Sequence, residues 1–362
     1  MNEEKTKPEQ TRKSPYSAGK VFAVAPMIDW TDRHCRYLHR QLSSRALLYT
    51  EMVVADAIIH GPRDRLLGYS DAEHPVALQL GGSDAAKLSQ AIRIAADYGY
   101  DEINLNVGCP SDRVQSGTFG ACLMRDAAHV ADLIAAMKQV SPVPVTVKCR
   151  IGVDDQEPGE VLPDFLQRMI GAGADAIWIH ARKAWLQGLS PKENREVPPL
   201  DYELVHRMKR ENPAVFLGIN GGIKDLDEAA RHLAVMDGVM LGRAAYQNTG
   251  LLAGVDALIG GSGSGSGPAT GETDWMALRD AMIAYAQTVM ASGGRLHHVT
   301  RHMVGLFQGY AGARRFRQIL SSEATKPGAG VEIIEAAFSA VDFASAPRDD
   351  VPDRAGEQRL AG

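Results

Sequence analysis

The chain has 362 residues, 45% of them hydrophobic, enough to bury a large core as two domains or as one large α/β unit with an appendage. A net charge of −5 excludes a protein that is basic all over, so any nucleic-acid binding must come from a local patch. Four cysteines (Cys35, Cys109, Cys122, Cys149) stand far apart with no CxxC pair, which argues against a zinc site or disulfide framework and fits reduced thiols in the cytoplasm.

Residues 1–19 are charged and proline-bearing, and read as a disordered tail rather than a signal peptide. No run approaches the roughly 18 apolar residues of a membrane span. From residue 20 onward, short β-rich runs alternate with helix-like segments. The runs are VFAVAPMI (21–28), ALLYTEMV (46–53), PVALQLGG (75–82), EINLNVGC (102–109), PVTVKCRIG (144–152), AIWIHAR (176–182), VFLGINGG (215–222) and GVMLGRA (238–244). Ser83 and Asp126 are the expected N-caps of two of the intervening helices. Alternating strands and helices predict a parallel sheet, and a count of eight predicts a closed (β/α)8 TIM barrel over residues 20–259. Residues 260–272 read as a Gly/Ser linker, 273–345 as a small helical domain, and 346–362 as a second disordered tail.

Active sites of such barrels sit where the strands end. Here those ends carry Ala25-Pro26-Met27, Gln79, Asn106 to Cys109, Lys148, His180, Arg182, Asn220-Gly221-Gly222 and Gly242-Arg243. A purely structural barrel has no reason to gather amides, a lysine, a histidine and arginines at one mouth. The glycines of INGGI and LGRAAY allow backbone N–H groups close to an anion, and Arg243 adds a charge, which suits a phosphate after strands seven and eight. Taken singly, Lys148 reads as an ion-paired strand-end residue and His180 as a satisfied core histidine. As a set with Gln79 they favour FMN, because a lysine beside a flavin ring stabilises negative charge and a glutamine can both donate to and accept from a ring edge. No GxGxxG follows a strand, so a Rossmann dinucleotide site is not indicated.

The segments APMIDWTDRHCR, LNVGCPSDRVQSGTFGACLM, VKCRIGVD, IHARKAWLQGLSPKENREVPPL, INGGI and LGRAAYQN resemble the tRNA-dihydrouridine synthases. The IHARKAWLQGLSPKENR stretch, with TRHMVGLFQGYAGARRFR, resembles the A subfamily, whose members reduce uridines 20 and 20a of the tRNA D-loop. This resemblance implies that Ala25, Pro26, Met27, Gln79, Lys148 and His180 contact FMN. It implies that Asn220, Gly221, Gly222, Gly242 and Arg243 hold the phosphate, that Asn106 meets the substrate uridine, and that Cys109 is the catalytic acid. Saturating the uracil C5–C6 bond needs hydride at C6 and a proton at C5, and an ordinary thiol, titrating near pH ~8.5, still carries its proton at neutral pH. NADPH as reductant rests on the resemblance alone.

A uridine must be splayed out of its loop to reach a barrel mouth, so backbone contacts have to offset the unstacking. One basic source is the loop with Arg182, Lys183, Lys192 and Arg195 close to Trp185. The other is the acid-free run 293–321 with Arg295, Arg301, Arg314, Arg315 and Arg317. The resemblance assigns Lys192, Arg195, Arg314 and Arg317 to tRNA. The expected protein is a monomer with no obligate protein partner and no metal. The rival reading is a flavin barrel acting on a free pyrimidine, as dihydroorotate-type oxidoreductases do, although a free base would not require the basic helical unit. An RNA-binding protein with a relic barrel, or a barrel for another phosphorylated ligand, would be colourless. The loop from Ser111 to Gly120, rich in small residues, reads as a lid.

Overall fold

The structure is a computed structural model that describes residues 14–16, 19–111, 119–260 and 273–344. Most of the first expected tail, the linker beyond Gly260, the second tail, and residues 112–118 of the expected lid lie outside the described residues.

Nine parallel strands form one sheet: β1 (Val21–Val24), β2 (Leu47–Tyr49), β3 (Val53–Val54), β4 (Val76–Gly81), β5 (Glu102–Val107), β6 (Val145–Arg150), β7 (Ala176–His180), β8 (Leu217–Asn220) and β9 (Gly238–Leu241). Pairing of β1 with β9 and of β2 with β4 closes eight of them into a barrel, and β3 is a short extension beside β4. The run 46–53, expected as one strand, is therefore broken: Thr50 turns its hydroxyl onto the Glu51 carbonyl at 2.7 Å, and Val53 pairs only after that step. Asp126 caps its helix as expected, accepting from the His129 N–H, but the cap expected at Ser83 belongs to Asp84, which accepts from the Lys87 N–H. Both neighbours are good caps, and the one whose oxygen reaches the third helical N–H takes the role.

Side chains alternate across each strand, so the barrel has two cores. Outward residues such as Val24, Leu48, Leu78, Leu105, Val147, Ile179 and Ile219 pack beneath the surrounding helices in one continuous apolar cluster. Inside the ring, Val21, Ala23, Ala25, Leu47, Tyr49, Ala77, Trp178 and Met240 form a second cluster. Trp178 lies across the barrel centre because the neighbouring strands offer it glycine: a Cβ on Gly218 would fall 2.1 Å from the indole. From below, Tyr16 packs edge-on against Phe216 and accepts a 3.2 Å hydrogen bond from the Trp178 indole N–H.

After the barrel, helices Trp275–Ala291, Leu296–Thr300, Ala313–Ser322 and Glu332–Phe338 form a small helical unit. Its core is aromatic: Phe307 meets Phe316, Phe338 and Phe343 edge-to-face at centroid distances of 4.8, 5.3 and 5.1 Å. The unit is fastened to the loop after β1. Asp32 caps the helix Arg33–Leu42 and also takes Arg301 at 2.6 Å and His302 at 3.0 Å. Tyr246, stacked on Trp30 at 4.5 Å, sets its hydroxyl 3.1 Å from His302 Nδ1, and Tyr37 stacks on Tyr285 at 3.8 Å. Arg301, read from sequence among the basic residues of the helical unit, is thus committed to an ion pair with the barrel.

Candidate active site

The strand ends converge as the alternation requires. In the strand register Asn106 lies beside Lys148, Arg150 beside His180, and His180 beside Asn220, so inward residues of β5 to β8 share the mouth. Cys109 sits just past β5 and is half-buried. Its N–H and that of Gly108 both donate to the Asn106 side-chain oxygen, at 2.9 and 3.0 Å. Its carbonyl accepts from the Ala121 N–H at 2.9 Å, and its thiol lies 3.5 Å from the Ser111 hydroxyl. The thiol is therefore presented by a loop anchored at both sides.

Lys148 donates to the Asn220 side-chain oxygen at 3.0 Å. Burial, reinforced by the charge of Arg150, brings its ammonium down to about 8. Burial and the charges of Arg150, Lys148, Arg182 and Arg195 hold the His180 imidazole well below its ordinary value, so it is neutral at neutral pH. Two buried atoms here lack a hydrogen-bond partner, His180 Nε2 and Arg182 Nε. Orphaned buried polar atoms cost about 1–3 kcal/mol each, so a site that keeps two of them is shaped for a ligand with polar atoms to match.

At the other side of the mouth, Gly221 and Gly222 take φ values of +114° and +72°, which only glycine adopts easily. A Cβ on Gly221 would stand 2.8 Å from the His180 ring, so the turn stays narrow and its backbone open to the mouth. Arg243 follows Gly242 and is ion-paired with Glu196, with a further 3.4 Å contact to the Arg195 carbonyl. Ala25 is tied to Leu241 at 2.8 Å, and Met27 is fixed by a 2.9 Å bond from its N–H to the Thr31 hydroxyl. Pro26 lies between them. A glycine backbone open to the mouth, an arginine, a neutral imidazole and a buried lysine around one opening fit a planar anionic ligand with a phosphate tail.

Gln79 differs from the simple ring-edge role. Its amide nitrogen donates to Asn104 and its oxygen accepts from Asn106, each at 2.8 Å, leaving one N–H and one lone pair for a ligand. Arg182 lies inside the mouth rather than on its rim, 9% exposed, with one nitrogen on the Pro198 carbonyl at 2.6 Å. Lys192, Arg195, Arg314 and Arg315 are exposed, and Lys183 stands 5.3 Å over the half-exposed Trp185 ring. Arg317 is half-buried on the same helix as Arg314.

Sequence reasoning places Arg150 at a strand end without giving it a role, and passes over Asn194. Arg150 donates to the Gly108 carbonyl at 3.1 Å, and to the Lys183 and Asn194 carbonyls at 3.0 and 2.8 Å, so it braces the cysteine loop against the loop after β7. Asn194, fully buried, ties that loop to itself through the Trp185 N–H and the Trp185 and Leu189 carbonyls. The only signal was an arginine two residues beyond Lys148, on the same face of the strand. Among the described residues there is no cluster able to hold a metal ion and no helix long and apolar enough to cross a membrane.

The family model described as dihydrouridine synthase (Dus) matches residues 23–342. The tRNA-dihydrouridine(20/20a) synthase of Escherichia coli (strain K12) is 55% identical over 342 residues, covering 94% of this chain and 96% of that protein. The protein of that name from Yersinia pestis is 54% identical over 321 residues (88% and 91%), and the one from Shewanella oneidensis 53% over 322 residues (89% and 94%). Among solved structures, morphinone reductase is matched at a TM-score of 0.49 and 14% identity, covering 72% of this chain and 92% of that one. A thiol held at a strand end, a cationic mouth and end-to-end similarity at this level agree: the chain belongs to the dihydrouridine synthase family.

Proposed function

We propose that this protein reduces uridine to 5,6-dihydrouridine in the D-loop of tRNA, at positions 20 and 20a, with FMN as cofactor and NADPH as reductant. The observation that carries this is the half-buried Cys109 thiol, held by Asn106 beside a mouth with two unmatched buried polar atoms, in a chain 55% identical to a tRNA-dihydrouridine(20/20a) synthase over nearly its whole length. Ala25, Pro26, Met27, Gln79, Lys148 and His180 would hold the flavin ring, and Asn220, Gly221, Gly222, Gly242 and Arg243 its phosphate, with Asn106 and Arg182 facing the substrate. The chemistry FMN supplies when bound is hydride for C6 of the uracil ring.

The protein's own residues do the rest. Cys109 transfers its thiol proton to C5, and with hydride at C6 both valences of the former double bond are filled. Asn106 holds the cysteine loop and spends both ends of its amide on that loop and on Gln79. Lys148, its charge lightly held because it is buried, stabilises negative charge at the ring edge. Residues 20–259 carry this chemistry. Residues 273–345 grip the tRNA as a single chain acting alone, through Arg314 and Arg317, with Lys192 and Arg195 at the mouth.

The test is the visible spectrum of the purified protein, followed by anaerobic addition of unmodified tRNA to the reduced enzyme. Flavin bands that re-oxidise with tRNA and not with free uridine or uracil are expected. Re-oxidation by the free base would instead favour a free-pyrimidine oxidoreductase. A colourless protein that takes up no FMN would refute the reading.

A further inference from the structure

Strand β5 sends Glu102, Asn104 and Asn106 into the barrel at every second position, and all three are buried. They belong to one continuous ladder of hydrogen bonds that climbs from the barrel floor to the cysteine loop. At the floor, the Glu102 carboxyl accepts from the hydroxyls of Tyr16 and Tyr49, each at 2.5 Å, and from that of Thr146. Thr146 accepts from the Asn104 amide at 2.7 Å. Asn104 accepts from Gln79, and Gln79 from Asn106, at 2.8 Å each. Asn106 then accepts from the N–H groups of Gly108 and Cys109.

We infer that Glu102 is a positioning residue for the reaction: acting through Thr146, Asn104, Gln79 and Asn106, it sets the direction of the whole ladder and thereby the seat of Cys109. The inference rests on the reading of Cys109 as the proton donor. An amide turned over by half a turn looks alike in shape and opposite in hydrogen bonding. Here each choice follows from the one below. An acceptor at Glu102 takes the Thr146 proton, so Thr146 must accept from an N–H2 of Asn104. Asn104 then has only its oxygen for Gln79, Gln79 only its oxygen for Asn106, and Asn106 only its oxygen for the Cys109 loop. Reversed, the ladder would set an N–H2 against two backbone N–H groups and release the loop.

Packing alone does not call for this arrangement, since the opposite half of the same interior is filled by Val21, Ala23, Leu47 and Met240. A carboxyl in this place is also costly to keep ionised. Burial raises it to about 7, against the pull of the Thr146, Tyr16 and Tyr49 hydrogen bonds.

Thr146→Val removes the link at constant shape, and Thr146→Ser keeps the hydroxyl. Two readouts are taken on the flavin-loaded protein: amide hydrogen exchange at Gly108 and Cys109, and single-turnover re-oxidation by tRNA. In Thr146→Val, exchange about tenfold faster and re-oxidation about tenfold slower are expected, each corresponding to about 1.4 kcal/mol, with flavin content retained. Thr146→Ser should return both to within about threefold of the parent. Unchanged exchange in the valine variant overturns the inference, as do equal losses in both variants, which would mean a packing role. Faster exchange with unmoved re-oxidation also overturns it. Should the valine variant not fold, Thr146→Ala, which removes the same hydroxyl, is read by the same criteria. Failure of the proton-donor reading is seen separately, as a Cys109→Ser variant that re-oxidises at the parent rate.

Discussion

The two halves of the barrel interior obey different rules although the strands that build them are alike. On the side of β1, β2, β7 and β9, most inward positions are filled by Val21, Ala23, Leu47, Trp178 and Met240; the Trp178 indole N–H rests on Tyr16, the Tyr49 hydroxyl reaches across to Glu102, and His180 stands at the mouth. On the side of β4, β5 and β6, the same layers hold Gln79, Glu102, Asn104, Asn106 and Thr146, linked to one another by hydrogen bonds, and Lys148, which donates to Asn220 of β8. The apolar half is inexpensive to bury and closes the ring. The polar half is costly unless fully satisfied, and it leads to the Cys109 thiol. Stability and chemistry are thus divided between two sides of one core.

That division can be attacked from each side. The largest effect is expected at the end of the polar half: Cys109→Ser should lose about 100-fold or more in tRNA-dependent re-oxidation while keeping its flavin, as rapid-mixing absorbance would show. A loss of flavin in that variant would mean that the thiol also holds the site together. In the apolar half, Gly218→Ala drives a methyl into Trp178. It should lower unfolding stability by about 1–3 kcal/mol in denaturant titration, with turnover per folded flavin site nearly unchanged. Equal damage to turnover would break the division. Outside both halves, Arg314→Ala should raise the tRNA KM a few-fold and lower the salt slope of tRNA binding by about one, without altering the rate from a saturated complex.

The smallest effect concerns pH. Glu102 stands at about 7 in the folded protein, above its ordinary value of 4.5, because burial outweighs the hydrogen bonds of Thr146, Tyr16 and Tyr49, and Asp175 adds to the rise. The folded state therefore binds the proton more tightly, so this contribution to stability is present at low pH and is lost as pH rises from 4.5 through about 7. Glu102→Gln should flatten that part of the stability curve, read from thermal midpoints at about pH 5 and about pH 8. A parallel curve would place the titration elsewhere.

The barrel was legible because β-branched runs and glycine-bounded strand ends are local features. The thiol, the lysine, the histidine and the paired glycines were legible for the same reason: each stands at a strand end that the alternation marks. What the sequence concealed were partnerships. The polar alternation of EINLN is plain, but its meaning lies in Gln79 and Thr146, 25 and 42 residues from Asn104. Arg301 looked like part of an RNA surface because Asp32, its actual partner, is 269 residues away. The broken second strand was hidden too, since 46–53 reads as one β-rich run and the step at Thr50, whose hydroxyl turns onto the Glu51 carbonyl, shows only in the folded chain.

Tyr16 shows where a trimming boundary would mislead. Cutting just before Lys20 would remove only residues that composition assigns to solvent. It would also take away one of three donors to a sealed carboxyl and the oxygen that accepts from the Trp178 indole N–H. Anyone shortening this chain, or fusing a tag to it, should keep Tyr16, the plug under the barrel floor.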